Sequence, residues 1–142
     1  NASYNVMGGK FRDNPASGPL AQGYIHSIVA AYDVRCDLKY AMQTSLVDLN
    51  DGEASAVGIS NYLFKTVNDC TTLGARFEWL NSDGLATTNV DEDLYELTLG
   101  MNYRWCANLL FRPELRSDWS ENAVTGVKDD RFSYATSAIL TF

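Results

Sequence analysis

The sequence predicts an all-β fold, an antiparallel up-and-down transmembrane β-barrel with seven or eight strands within these 142 residues. Two observations predict it. Apolar and polar residues alternate along several segments, and short and long polar connections alternate between those segments. Hydrophobic residues make up 46% of the chain, yet no stretch approaches the ~20 consecutive apolar residues of a transmembrane helix. A membrane β-strand needs only ~10 residues, of which every second one faces lipid.

The composition excludes several classes of protein. The formal net charge is −7 and the pI is about 4.5, which argues against a nucleic-acid partner and against a basic membrane-surface protein. Cys36, Cys70 and Cys106 cannot all pair within the chain, and their spacing matches no zinc pattern. We therefore expect no metal and no cofactor.

The alternation is clearest in residues 93–105, DLYELTLGMNYRW, where apolar side chains take the odd positions and polar ones most of the even positions. A helix would require apolar spacings of three and four. Residues 72–80, 109–119 and 131–142 repeat the pattern. Weaker strands are expected at 24–34, 38–48 and 57–66. Residues 3–11 form a doubtful eighth strand, because Gly8, Gly9 and Lys10 dilute its apolar face. Pro113 predicts a local irregularity in its own strand.

The connections fall into two classes. Those around 35–37, 68–70 and 106–108 are tight, whereas 12–23, 49–56, 81–92 and 120–130 are longer and polar. Short and long connections strictly alternate, as in outer-membrane barrels, whose periplasmic turns are short and whose extracellular loops are longer. The last strand then ends at the periplasmic side with Phe142.

Aromatic residues cluster near both ends of the predicted strands, where membrane barrels carry girdles of rings at headgroup level. The predicted membrane-interface aromatics are Trp79, Tyr95, Tyr103, Trp105, Trp119 and Phe132.

Four segments resemble the OmpL-like β-barrel porin family of Gram-negative bacteria: GISNYLFKTVND, LGARFEWLNSDG, DLYELTLGMNYRWCANLLFRPELRSDWS and KDDRFSYATSAILTF. The resemblance covers about residues 57–142. It implies a passive pore for small solutes or ions in the bacterial outer membrane. It also implies a parent chain longer than this one. The 142 residues are then expected to be the C-terminal segment of a larger barrel, with a single barrel domain as the other option.

The end of the chain also resembles a known signal. Phe142, with Leu140 and Tyr134, resembles the C-terminal signal by which outer-membrane barrels are recognised for insertion. The resemblance therefore implies the barrel assembly machinery and outer-membrane lipid as partners, and it leaves a homo-oligomer open.

The polar face of the predicted strands is the candidate pore lining. It carries Arg76, Glu78, Glu96, Arg104, Arg112, Glu114, Arg116 and Asp118. Asp33, Lys39 and Lys65 are expected to join them. A charged lining biases which ions cross. Alternatively, facing arginines and carboxylates form cross-strand pairs that hold the wall and leave little net field.

Two alternatives to a porin follow from the same residues, and a third class, the enzymes, is not expected. A complete eight-stranded barrel would have its interior filled by side chains and would serve as a structural anchor or adhesin. A soluble lipocalin-like carrier would place its apolar face inside. Enzyme activity is not expected, because His26 and Ser27 are adjacent in a strand, point to opposite faces and cannot share a proton.

Overall fold

The computed structural model describes residues 1–12, 20–49, 54–83, 92–120 and 130–141, and every regular element in these ranges is a β-strand. The strands are β1 (Ala2–Arg12), β2 (Leu20–Arg35), β3 (Leu38–Leu49), β4 (Ala54–Asn68), β5 (Thr71–Asp83), β6 (Glu92–Cys106), β7 (Leu109–Ser120) and β8 (Arg131–Leu140). Over the same ranges, no helix is long and apolar enough to cross a membrane.

All eight strands form one antiparallel sheet in which spatial order follows chain order, from β1 to β8. The predicted all-β, up-and-down architecture is confirmed, and the doubtful strand at 3–11 is β1. Most strands run further than predicted. The ladder between β4 and β5 extends to Ser55 opposite Asp83, because backbone hydrogen bonds continue after the alternation of side chains has ended.

Tight turns at 36–37, 69–70 and 107–108 join β2 to β3, β4 to β5 and β6 to β7. The pairing shifts by one residue just before each of these turns. Each shift is a β-bulge, in which one extra residue is left without a partner across the ladder. The extra residues are Val34, Val67 and Trp105. The inner parts of the four predicted long connections (13–19, 50–53, 84–91 and 121–129) lie outside the described residues.

Pro113 interrupts the ladder between β6 and β7. Paired positions are found at Gly100 opposite Glu114 and again at Tyr103 opposite Phe111, but not between them. The two flanking pairs keep the same register, so the strands continue in line. Proline has no N–H to donate to the carbonyl of the facing residue, Met101. The predicted irregularity at Pro113 is confirmed, and it is a missing hydrogen bond with no change of register.

The two faces of the sheet differ in polarity and in burial. On β6, Glu96 and Thr98 are only 7% and 6% exposed, whereas the intervening Leu97 and the next residue, Leu99, are 40% and 49% exposed. Among the described residues, Leu49 is the one buried hydrophobic side chain. A soluble carrier would bury its apolar face. Here the crowded face is polar and the open face is apolar, which argues against the lipocalin-like alternative.

The sheet is not closed within the described residues. β1 pairs only with β2 and β8 only with β7, so the outer edges of β1 and β8 face no strand. Every side chain of β8 is exposed. A complete eight-stranded barrel would require β1 to pair with β8, which is not the arrangement found.

Lys65 does not join the polar face, so this prediction is wrong. Its position on β4 lies opposite Leu38 and Leu73, in a row of the apolar face. Its ammonium group reaches the turn at 36–37 and forms an ion pair with Asp37. On β4 the even positions share the face of Arg76, so Lys65, at an odd position, lies on the opposite face.

Candidate functional site

Strand register brings the eight predicted pore-lining residues to one face of the sheet. Arg76 lies opposite Thr98, and Thr98 lies opposite Arg116. In the adjacent row Glu78, Glu96 and Asp118 lie side by side on β5, β6 and β7. The remaining three occupy even positions of the same strands and so share this face; they are Arg104, Arg112 and Glu114.

Glu96 is the centre of a charge cluster on this face. One carboxylate oxygen accepts hydrogen bonds from Arg76 Nη2 and, at 3.1 Å, from Arg76 Nε. The hydroxyl of Thr98 donates to the same oxygen at 2.5 Å. The other oxygen lies 2.9 Å from Arg116 Nη2. Two guanidinium groups and a hydroxyl thus stabilise a carboxylate that has little access to water, as buried charges require.

Two further carboxylates extend the cluster to either side. Arg76 Nε lies 3.3 Å from Glu78 Oε2, and the hydroxyl of Ser60 donates to Glu78 at 2.7 Å. Arg116 Nη2 lies 2.7 Å from Asp118 Oδ1. The cluster of Arg76, Glu78, Glu96, Arg116 and Asp118 is therefore held by ion pairs both across the ladder and within single strands, and its two cations and three anions leave one net negative charge.

The other three predicted residues lie outside this cluster. Arg104, Arg112 and Glu114 are exposed, and no ion pair of theirs occurs with another described residue. Arg112 and Glu114 line a cavity of about 220 Å³ on the polar face, together with Tyr62 and Phe64 from β4. Sequence reasoning missed these two aromatics. Because Tyr62 and Phe64 are two residues apart on β4, their spacing indicates that they share one face of the sheet.

Asp33 and Lys39 lie opposite each other on β2 and β3, as predicted for the polar face, with Lys39 Nζ 3.5 Å from Asp33 Oδ1. Both side chains are well exposed, so this pair contributes little to stability.

The predicted interface aromatics form two clusters on the apolar face. Trp79, Tyr95 and Trp119 lie in one row across β5, β6 and β7, and the rings of Tyr95 and Trp119 stack with centroids 5.7 Å apart. Trp79 Nε1 donates to Asp93 Oδ1 at 2.9 Å. Phe132 lies in the next row, opposite Ser117.

The second aromatic cluster lies toward the tight turns. The ring centroid of Trp105 is 6.1 Å from that of Tyr103 and 6.4 Å from that of Phe111, and both contacts are edge-to-face. A rise of about 3.3 Å per residue separates Tyr95 from Trp105 by about 33 Å along β6, or about 25 Å along the normal at a tilt of about 40°. This matches the height of the apolar band of a membrane barrel.

The family model described as "Putative beta-barrel porin-2, OmpL-like" matches residues 1–142. The chain belongs to this family. The match extends beyond residues 57–142, where the sequence resemblance is evident, and includes the N-terminal strands in which the alternation is weaker. No curated protein and no solved structure matches the chain significantly.

The residues of the predicted insertion signal of this OmpL-like chain are only partly described. Tyr134 and Leu140 are exposed on β8, at positions opposite Leu115 and Leu109. Phe142 lies outside the described residues. The role of these three residues as a signal stays a prediction.

Among the residues described for this OmpL-like chain, no group of three metal-ligating side chains comes together. Cys36, Cys70 and Cys106 are all exposed thiols at the end of the sheet that carries the tight turns. The imidazole of His26 shares a hydrogen bond of 2.7 Å with the Tyr4 hydroxyl on the neighbouring strand. Ser27 is the next residue on β2 and points to the opposite face.

Proposed function

We propose that the chain forms the wall of an outer-membrane porin, a passive diffusion channel for small solutes or ions. The observation that carries this proposal is the sidedness of the sheet. A charged cluster centred on the buried Glu96 lies on one face, with Arg76 and Arg116 partly exposed, whereas the leucines beside Glu96 are exposed on the other. Exposed leucines suit contact with hydrocarbon, and partly exposed guanidinium groups suit contact with a water-filled path.

The unpaired charges of the wall lie outside the cluster. Within the cluster Arg76 and Arg116 are paired with Glu78, Glu96 and Asp118, so that only one net negative charge is left there. Arg112 is exposed and has no ion pair among the described residues. Its guanidinium, like that of Arg104, is therefore available to influence which ions cross.

The open edges of β1 and β8 determine which partners the wall needs. In hydrocarbon every backbone N–H and C=O must find a partner, so in the proposed channel both edges would pair with further strands, in the same polypeptide or in a second copy. Outer-membrane lipid would cover the apolar face. The barrel assembly machinery would recognise the C-terminal residues Tyr134, Leu140 and Phe142.

A complete eight-stranded barrel with a structural or adhesin role remains the alternative function. It requires β1 to pair with β8, and the sheet shows no such pairing. Its interior would also be filled by side chains, whereas a cavity of about 220 Å³ lies on the polar face. Both observations favour the wider channel.

Single-channel recording in planar bilayers tests the channel. We expect stable open steps whose reversal potential in a salt gradient shifts toward cation selectivity in Arg112→Ala. Lys65→Ala removes a cation from the apolar face and is the matched control, for which no shift is expected. A closed baseline over many insertions would rule out the proposed channel.

A further inference from the structure

The cavity on the polar face lies where β4, β5, β6 and β7 run side by side, and its floor is made of glycine. Gly74 and Gly100 lie directly opposite each other on β5 and β6. A Cβ at Gly74 would meet Phe64 at 3.5 Å, and a Cβ at Gly100 would meet the Pro113 carbonyl at 3.7 Å. Both are ordinary contacts, so side chains would fit at these positions and would fill the cavity.

The two walls of the cavity differ in chemistry. On one side the rings of Tyr62 and Phe64 are nearly parallel, at an interplanar angle of 12° with centroids 6.2 Å apart. They provide an apolar surface on the face that carries the charge cluster. On the other side β7 contributes Arg112 and Glu114. Arg76 also lines the cavity, but its guanidinium is ion-paired with Glu78 and Glu96. The cavity thus combines an aromatic wall with one unpaired cationic and one unpaired anionic side chain.

Arg112 and Glu114 do not neutralise each other, although their spacing permits it. Arg116 and Asp118 have the same two-residue spacing on the same strand, and their side chains approach to 2.7 Å. Within the described residues no such contact joins Arg112 to Glu114, or either of them to a third charged group. Each therefore has capacity to bind an opposite charge from solution.

The interrupted ladder adds a hydrogen-bond acceptor to the cavity. Met101 and Pro113 both line it, and the facing pair that they form is one of two missing from the β6–β7 ladder, next to that of Asn102 and Arg112. Because proline lacks an N–H, the Met101 carbonyl is left without the donor that a ladder would supply. An acceptor beside a glutamate favours a cationic N–H donor.

We propose that this cavity binds zwitterionic solutes with an aromatic or large apolar side chain, the chemistry of a hydrophobic α-amino acid. Arg112 would bind the carboxylate with paired N–H donors. Glu114 and the Met101 carbonyl would bind the ammonium group, and the side chain would pack on Tyr62 and Phe64. A cavity of about 150 Å³ holds a benzene molecule, so 220 Å³ accommodates a ring with its charged end. This inference rests on the proposed channel, through which such a solute would reach the polar face.

Ligand titration with saturation-transfer NMR, on the protein folded in detergent micelles, tests the chemistry of the occupant. Phenylalanine is the probe, with 3-phenylpropionate lacking the ammonium and phenethylamine lacking the carboxylate. We expect each analogue to bind about tenfold more weakly than phenylalanine, since each loses one charge-assisted contact. Equal binding of all three compounds would overturn the zwitterion assignment.

Variants locate the binding. Arg112→Gln and Glu114→Gln should each weaken phenylalanine binding about tenfold, and Gly100→Val should abolish it by filling the floor. Arg131→Gln removes an exposed arginine of the same face, outside the cavity, and should leave binding unchanged. Heat-modifiable migration in SDS gels shows that each variant is folded.

Phenylalanine binding that is equal in all folded variants would overturn the site. Because NMR titration needs no conduction, binding to a protein that stays closed in bilayers would remove the channel but keep the site. Open channels without binding would remove the site but keep the channel.

Discussion

Glu96 shows at the scale of one residue what the sequence could and could not predict. Its place on the polar face follows from alternation alone, since its neighbours at odd positions are apolar. Its contact with both Arg76 and Arg116 depends on the register of three strands. Register is set by turns and bulges, so the sequence indicated which residues share a face but could not show which of them pair.

Glu96→Gln is expected to weaken the wall and to shift the selectivity of the channel. Two guanidinium groups would lose their shared carboxylate, at a cost of about 2–3 kcal/mol in free energy of unfolding. The loss of one negative charge from the polar face should move the reversal potential of the proposed channel toward anion selectivity. Urea titration in detergent and single-channel recording measure the two effects. Glu114→Gln is the control for stability, because Glu114 is exposed and unpaired within the described residues; an equal loss in both variants would contradict the central role of the Glu96 cluster.

The ion pair of Asp37, in the turn between β2 and β3, predicts how the stability of the fold changes in acid. A hydrogen bond from the Lys65 ammonium holds the pKa of the Asp37 carboxyl below its ordinary value of 3.8. A pKa that is lower in the folded state means that the pair stabilises the fold above the ordinary value, and that this stabilisation is lost as pH falls through the folded pKa. Urea midpoints of the native chain and Asp37→Asn should therefore differ slightly at neutral pH and converge in acid. A difference that persists at pH 2 would contradict the pairing.

The strands, taken as elements, were predictable in number and order but not in length. Alternation identified the segments at 93–105 and 109–119, and β6 and β7 contain them in full. It could not identify strand ends, where polar residues such as Asp83 remain in the ladder. Alternation also placed Lys65 on the wrong face. Odd positions of β3 lie opposite even positions of β4, so Lys39 and Lys65 fall on different faces of the sheet. Alternation of apolar and polar residues identifies a strand, whereas the residues at which the strand begins and ends are determined by backbone hydrogen bonds.

The close approach of β2 to β3 at Gly23 predicts that a side chain at this position destabilises the pair of strands. A Cβ at this position would lie 2.1 Å from the carbonyl oxygen of Asp48 and 2.6 Å from Leu49 Cδ2. Because the first of these is a backbone atom, Gly23→Ala must displace a strand, at a cost of about 1–3 kcal/mol. Gly9→Ala is the matched control, since a Cβ there meets nothing within 4 Å. Equal urea midpoints for the two variants would show that the close approach of β2 to β3 is not a constraint.

At the scale of the whole molecule, the fold lacks what stabilises a soluble protein. Leu49, at 4% exposure, is the one hydrophobic side chain buried in the part of the chain that the structure describes. In the proposed membrane wall, stabilisation would come from ladder hydrogen bonds, from the polar cluster and from lipid against the apolar face. The composition alone, with its 46% hydrophobic residues, could not distinguish this arrangement from a soluble one.

The open sheet predicts a large distance between its two outer strands, β1 and β8. Spin labels at Asn5 on β1 and Ala135 on β8, with the three cysteines replaced by serine, report whether these strands meet. Neighbouring strands lie about 4.8 Å apart, so seven steps separate the labels by up to about 34 Å along the wall. We expect a mean label separation above about 15 Å by pulsed electron resonance in detergent. A shorter separation would indicate closure of β1 on β8 and favour the eight-stranded alternative.

The bulges before the tight turns bear on how such a chain can change length during evolution. Within a strand, inserting one residue exchanges the two faces for the rest of that strand and would place arginines in lipid. The extra residues Val34, Val67 and Trp105 lie outside the ladder, between the last regular pair and the turn. An odd residue gained or lost there alters the hairpin end and leaves the alternation intact. These three sites are where single insertions and deletions should be tolerated, whereas elsewhere in the strands they should occur in pairs.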